Sequence, residues 1–249
     1  VSTDGSDVSG SGTSVDPFAS IQKGIDLALN NDVVLVSPGT YHENIIIGDK
    51  DILVTSEYFS SIDTSTINAT IIDGDSSGSV ITILNQGDEA QFELRGLTIR
   101  NGEATYGGGI ACFDSSPTLQ DLNIESNKAT TGGGGGMYLI QSSPNILTCK
   151  LQNNISEDVG GGLYAKDNSA AIIKKSVISN NSSNSTGAGI FTKNSSILRI
   201  IRSVVTNNTS SSYGGGIGIR ESQLLIHNSL IANNSATTTA GGIYYYRNA

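Results

Sequence analysis

The sequence predicts an all-β solenoid: a right-handed parallel β-helix of about 27 residues per rung with an N-terminal capping α-helix. Three observations predict it. The first is a glycine motif followed by an apolar residue: Gly-Gly-Gly-Ile at 107–110, then copies at 134–137, 160–163, 187–190, 214–217 and 240–243. Their last glycines are 27, 26, 27, 27 and 26 residues apart. The second is an aliphatic residue, two variable residues and Asn, with asparagines at Asn127, Asn154, Asn181, Asn208 and Asn234, spaced 27, 27, 27 and 26. The third is short period-two apolar runs between the marks, which read as strands. Two marks keeping one period mean stacked units, each pairing with the next rung about 4.8 Å away.

Stacking turns equivalent positions into ladders. The residues after the glycines (Ile110, Met137, Leu163, Ile190, Ile217, Ile243) are expected inward, as are Ile99, Ile124, Leu151, Ile178, Val205 and Ile231. The Asn row is expected to be structural, because Asn tolerates the left-handed turn and a stacked amide both donates and accepts between rungs. Cys112 and Cys149 fall on inward positions and are expected as buried free thiols.

Two units follow along the chain: residues 1–32, a loop and capping helix, and residues 33–249, the β-helix. Asp16-Pro17 reads as a helix start, Asp as N-cap and Pro at the first position. Phe18, Ile21, Ile25, Ala28 and Leu29 share one face, suited to covering the open end of a solenoid core. Strands are expected at Val33–Val36 and Asn44–Ile47, and in the less regular stretch 51–106 at Ile52–Val54, Thr70–Ile72 and Val80–Leu84, with Val80 equivalent to Ile110. Turns are expected at Asp73-Gly74-Asp75 and Gln86–Glu89. The chain stops at Tyr244–Ala249, midway through a rung and without a capping helix, which predicts self-association through that edge.

Asp4-Gly5-Ser6-Asp7, Asp16-Pro17-Phe18-Ala19-Ser20-Ile21 and Asp32–Glu43, with its Ser-Pro-Gly-Thr-Tyr turn, resemble the capped N-terminus of the pectin-lyase-like right-handed β-helix superfamily. The glycine and Ile-x-x-Asn marks resemble the repeats of chlamydial polymorphic membrane proteins and bacterial surface adhesins. Together these resemblances span nearly the whole chain. They imply the fold and leave activity open among lyases, hydrolases, epimerases and adhesins.

The net charge of −9 excludes a nucleic-acid partner, which needs a basic face, and an anionic membrane surface. No run of 18 apolar residues predicts a membrane span. Low charge density and Ser, Thr and Asn richness point to an exported, extracellular or cell-surface bacterial protein.

Catalysis needs convergent acids. In the resembling enzymes a basic residue or Ca²⁺-binding aspartates line the outer strands, or aspartates cluster beside a His. Candidate acids here are Asp73, Asp75, Asp114, Asp121, Glu125, Glu157 and Asp158, scattered over turns and repeat phases, and no Asp-Asp pair is expected beside His42 or His227. Arg199 and Arg202, three apart in a strand, are expected on opposite faces. No cofactor is expected, Asp73 and Asp75 being the only place where Ca²⁺ suggests itself. The better candidate is a binding strip. The residues after the inward ladder include Tyr138, Tyr164 and Phe191, and those two further on include Lys166, Lys193 and Arg220, all outward by alternation. Exposed aromatics beside cations suit sugar rings or a partner protein. The function expected is therefore an adhesin-like binding or structural module with a polysaccharide or surface-protein partner. The alternatives are a polysaccharide lyase or hydrolase and an end-to-end stacking module.

Overall fold

A computed structural model describes residues 1–61, 63–85 and 91–246. The chain winds as a parallel β-solenoid of four sheets, visited in the same order on each complete coil. Three sheets have eight strands: the first runs from Val33–Val36 to Gln223–His227, the second from Gly39–His42 to Leu230–Ala232, and the fourth from Ile45–Ile47 to Ile243–Tyr246. The third, six-stranded, runs from Glu103–Tyr106 to Ser235–Ala236.

Register follows the repeat. Ile110 pairs with Met137, Met137 with Leu163, and so on to Ile243. All are fully buried except Ile243, which is 40% exposed. Toward the N-terminus the partner of Ile110 is Ile81 rather than Val80, so the expected alignment is one residue early. The second inward set is buried from Ile99 to Val205 and joins one continuous core. Burying each such aliphatic side chain contributes about 1.5–3 kcal/mol. Cys112 and Cys149 are buried and free, and burial pushes both thiols up to about 12.

The Asn row closes a hydrogen-bond column inside the stack. Asn154 Oδ1 accepts from both the backbone N–H and Nδ2 of Asn127, each at 3.1 Å. Asn181 does the same for Asn154, and Asn208 for Asn181. Each Nδ2 also donates to the carbonyl of the second inward residue one rung earlier, as Asn181 does to Leu151 at 3.0 Å. The third glycine of each motif up to Gly216 packs on this column. A Cβ at Gly162 would lie 2.5 Å from the Gly189 carbonyl and 3.0 Å from Asn181 Nδ2. The first glycine takes a left-handed turn, with φ +62° at Gly160.

The N-terminal helix α1 spans Ile21–Leu27 and buries Ile21, Gly24 and Ile25 against the first rung. It begins four residues after the predicted start. Asp16 instead accepts from the Ser11 N–H, and Ser20 is the N-cap, accepting from Lys23 N–H. Glu43, from the facing rung, accepts from the N–H groups of Ile21 and Gln22 at 2.8 and 2.9 Å. At the other end Lys50 donates to the carbonyls of Ile25, Asp26 and Ala28. Two further short helices, α2 (Tyr58–Ser61) and α3 (Ser65–Ala69), occupy the polar excursion after the second strand of the first sheet. The turn expected at Gln86–Glu89 lies outside the described residues, as do residues 247–249.

Replacing Asn181 by Leu keeps bulk but strands the Asn154 N–H and the Leu151 carbonyl. Urea denaturation should show a loss of about 2–4 kcal/mol, against a near-neutral Asn184→Ala on the surface. Thiol titration should find no reactive cysteine in the folded protein and two after unfolding.

Candidate functional site

Outside the core the solenoid carries a second, smaller apolar cluster. Tyr138, Tyr164 and Phe191 face away from the main core but are only 3, 3 and 7% exposed, so they do not form the open strip that alternation implies. Their rings touch rung upon rung at 5.5 Å between centroids, edge-on at 62° for Tyr138 and Tyr164 and tilted at 40° for Tyr164 and Phe191. What covers them includes the residues just before two of the glycine motifs, Tyr106 and Val159. Tyr106 sits 4.6 Å from Tyr138, and Val159 packs with Tyr164 and Phe191. Burial pushes the hydroxyls of Tyr138 and Tyr164 up from the usual tyrosine range.

The cover and the ladder both thin out at one place. In the covering column Val159 is followed by Thr186 and then Tyr213; Thr186 and Tyr213 pair in register. In the ring column Phe191 is followed by Gly218 and then Tyr244. Thr186 and Gly218 are smaller than the neighbours on either side of them, and next to them a groove of about 440 Å³ opens, lined by Thr186 but not by Gly218. Tyr164, Phe191, Tyr213, Tyr244 and Tyr246 line it, with Tyr213 and Tyr244 stacked at 4.7 Å and 20°. Gly218 is needed for close approach: a Cβ there would meet Thr186 Cγ2 at 2.5 Å and the Phe191 ring at 2.9 Å.

Two of the three expected cations line this groove. Lys193 and Arg220 pair in register on adjacent rungs. Lys193 Nζ stands 5.8 Å from the Tyr164 ring centroid, and the Arg220 guanidinium 5.5 Å from that of Tyr246. Neither forms a salt bridge within 4.0 Å among the described residues. Lys166 is spoken for by Asp167 at 3.2 Å, and neither it nor Tyr138 lines the groove. Asp158 lies at the opposite rim, where burial raises its carboxyl and Lys193 partly offsets that.

A second cluster corrects the expectation that no aspartate pair lies beside a histidine. His42 pairs in register with Asp73, and Asp73 with Arg100, on three successive strands of the second sheet. His42 Nδ1 lies 2.9 Å from Asp75 Oδ1, and the ligand-type atoms of His42, Asp73 and Asp75 all fall within 4.8 Å of one another. The separations of 31 and 33 residues are one long rung, so stacking rather than chain proximity joins them. Asp73 is nearly buried. Its Oδ2 accepts from Arg100 Nε and Asn101 Nδ2, both at 2.8 Å, and its Oδ1 from the Asp75 N–H. Burial alone would raise this carboxyl, but those donors outweigh it and hold it below the usual 3.8. Ca²⁺ takes about six to eight oxygens. A pair of carboxylates, one already turned to an arginine, does not fit that demand.

The other candidates are dispersed. Asp121 takes Arg95 and Thr148, Glu125 takes Gln152, and Glu157 takes Lys128. Asp114 and Arg202 occupy left-handed turns, and Arg199 lies in the Ile197–Ile201 strand, a sheet away from the groove. His227 contacts Asn228.

A family model described as a right-handed beta helix region matches residues 108–249, more than half the chain. The chain belongs to this right-handed β-helix family. No curated protein and no solved structure matches it. The family membership agrees with the resemblance to the pectin-lyase-like superfamily; it carries no activity with it.

The Asp73–Arg100 pair has a pH signature. The depressed carboxyl contributes stability that is present above 3.8 and lost as pH falls through its lower folded value. The Asp73→Asn variant should therefore melt lower than the wild type at neutral pH, and the gap should narrow as pH falls below 3.8; thermal melts across that range check it.

Proposed function

We propose that this β-helix is a secreted or cell-surface, adhesin-like binding module whose groove beside Thr186, Tyr213 and Tyr246 receives a carbohydrate ring. The observation that carries the reading is the groove itself, lined by five aromatic rings together with Ser185, Thr186, Asp158, Lys193 and Arg220. Its volume falls within the roughly 300–1,000 Å³ of small-ligand sites. A pyranose ring has apolar faces to lie on aromatic walls and hydroxyls to bond at the rim. A peptide would gain less. Peptide-binding sheets offer a free strand edge, whereas the strands at 190–193 and 217–220 are paired on both sides.

The second reading is a polysaccharide hydrolase or lyase, and the observation favouring it is the His42–Asp73–Asp75–Arg100 cluster. His42 and Asp75 are exposed, with side-chain exposures of 58 and 61%, and hydrogen-bonded to each other beside a fixed charge pair. Such a pair has the chemistry of an acid–base group.

One experiment separates the two. On a panel of immobilised glycans the wild type should be retained without releasing product. Tyr213→Ala and Tyr246→Ala should each weaken retention about tenfold or more while the fold survives by circular dichroism. Release of soluble or unsaturated sugar that disappears in His42→Ala would instead establish the enzyme reading.

A further inference from the structure

Resting on that carbohydrate reading, we propose that the groove takes an uncharged sugar, and that Asp158, acting with Lys193, decides this by gripping neighbouring hydroxyls of the ligand. The argument begins with what the groove leaves unpaired. Asp158 lines it, and the backbone of Asp158 is occupied: its N–H donates to Ser156 Oγ at 3.1 Å, and its carbonyl accepts from the Ser185 N–H at 2.9 Å. The carboxylate is not occupied. Among the described residues it accepts no hydrogen bond and forms no ion pair within 4.0 Å. Its electrostatic neighbours belong to the groove. Burial raises the Asp158 carboxyl and Lys193 draws it back; burial, then Tyr138, then Asp158 raise the Tyr164 hydroxyl. Tyr164 and Lys193 both line the groove. Lys193 Nζ rests 5.8 Å from the centroid of the Tyr164 ring and donates no hydrogen bond among the described residues. Ser185 and Thr186 add two hydroxyl side chains to the same lining.

A half-buried acceptor without a donor costs stability, so a groove that holds one is suited to a ligand that supplies the donor. The unpaired set is mixed: a carboxylate that only accepts, an ammonium that only donates, and hydroxyls that do both. A carboxylate or sulfate ligand would satisfy Lys193 and set a like charge beside Asp158. An ammonium ligand would satisfy Asp158 and set a like charge beside Lys193. A sugar hydroxyl meets both demands, donating to Asp158 while accepting from Lys193. The two oxygens of one carboxylate suit two neighbouring hydroxyls. Hydrogen bonds to an ionised group are about twice as strong as neutral ones, so Asp158 rather than Ser185 or Thr186 sets the preference. The aromatic lining supplies the rest of the contact: the apolar face of the sugar lies on the rings while hydroxyls at its edge reach the carboxylate. Arg220 leans on the Tyr246 ring, 5.5 Å from its centroid, and is given no part in this grip.

The test is isothermal titration of the full chain with the methyl glycosides of glucose, galactose and mannose, each beside its uronic-acid and 2-amino counterparts. A neutral glycoside should bind, and neither charged counterpart should bind tighter. Asp158→Ala should weaken that binding about tenfold, the loss expected of a charge-assisted hydrogen bond, with melting temperature as the folding control. Asp158→Asn, which keeps the shape of the side chain, should give an intermediate loss. Monodeoxy derivatives of the bound glycoside then locate the gripped hydroxyls: those that lose affinity for the wild type should lose no more in Asp158→Ala, a non-additivity that a merely structural role would not produce. A uronic acid or an amino sugar binding about tenfold tighter than its neutral parent would overturn the proposal, since one charge of the groove would then select the opposite charge. Neutral affinity unchanged in Asp158→Ala would overturn it too, while the carbohydrate reading stands. If only an immobilised glycan of the panel is retained, that glycan takes the place of the glycosides, and retention unchanged in Asp158→Ala overturns the proposal. If no glycoside and no glycan binds, both this proposal and the carbohydrate reading fall.

Discussion

The interlock between the asparagine column and the third glycine of each motif up to Gly216 is the constraint on which the regular part of the solenoid depends. Each side-chain amide satisfies its neighbour above, its neighbour's backbone and a carbonyl one rung back, so no polar atom of the column is left bare inside the stack. The glycine must stay without a side chain because the next rung's carbonyl and an Asn amide already occupy that space. Rung length is therefore held near 27 residues wherever the column runs. It begins where Asn127 accepts from the Gly102 N–H. The long, irregular rungs and both short helices lie before that point, where nothing enforces the period.

Facing outward, the same strands are under no such rule, and variation collects there. The ring column and the covering column each tolerate Tyr, Phe, Val, Thr or Gly because they pack only on their immediate neighbours. Stacked rings stabilise adjacent strands by about 0.2–1 kcal/mol per pair, enough to maintain the satellite cluster without dictating it. Where two small residues coincide, the satellite opens into a groove. At Gly218 the ring is missing, Thr186 and Phe191 close over the glycine, and the groove opens alongside.

Two polar constellations sit on this scaffold and differ in how their charges are used. Around Asp73 the charges are spent on each other, three donors on one nearly buried carboxylate, with His42 and Asp75 closing a second pair. Beside the groove Lys193 and Arg220 lie against rings and form no salt bridge within 4.0 Å among the described residues, although Asp158 across the groove still acts on Lys193. A cation beside an aromatic face keeps much of its capacity to attract an anion, while a cation paired with a carboxylate does not. That difference is why the groove, rather than the more enzyme-like cluster, carries the functional reading.

Much of the architecture was legible in the residues alone. Glycine and asparagine spacing sets the rung, and alternation sets which side of each strand is core, because stacking forces equivalent positions into one column. Lys193 and Arg220 were legible as outward cations for the same reason. Three things waited on tertiary structure. The start of α1 moved to Ser20 because Glu43, a rung away, supplies acceptors that no local pattern reveals. His42 met Asp73 and Asp75 because a long rung lies between them, and irregular rungs hide their own register. The rings of Tyr138, Tyr164 and Phe191 proved buried because residues of a neighbouring column, Tyr106 and Val159, fold over them. The sequence by itself determined the repeat and its core, since those follow from one-dimensional periodicity. Only the tertiary structure decided what is exposed and which charges stand free, since both depend on contacts between columns that periodicity does not order.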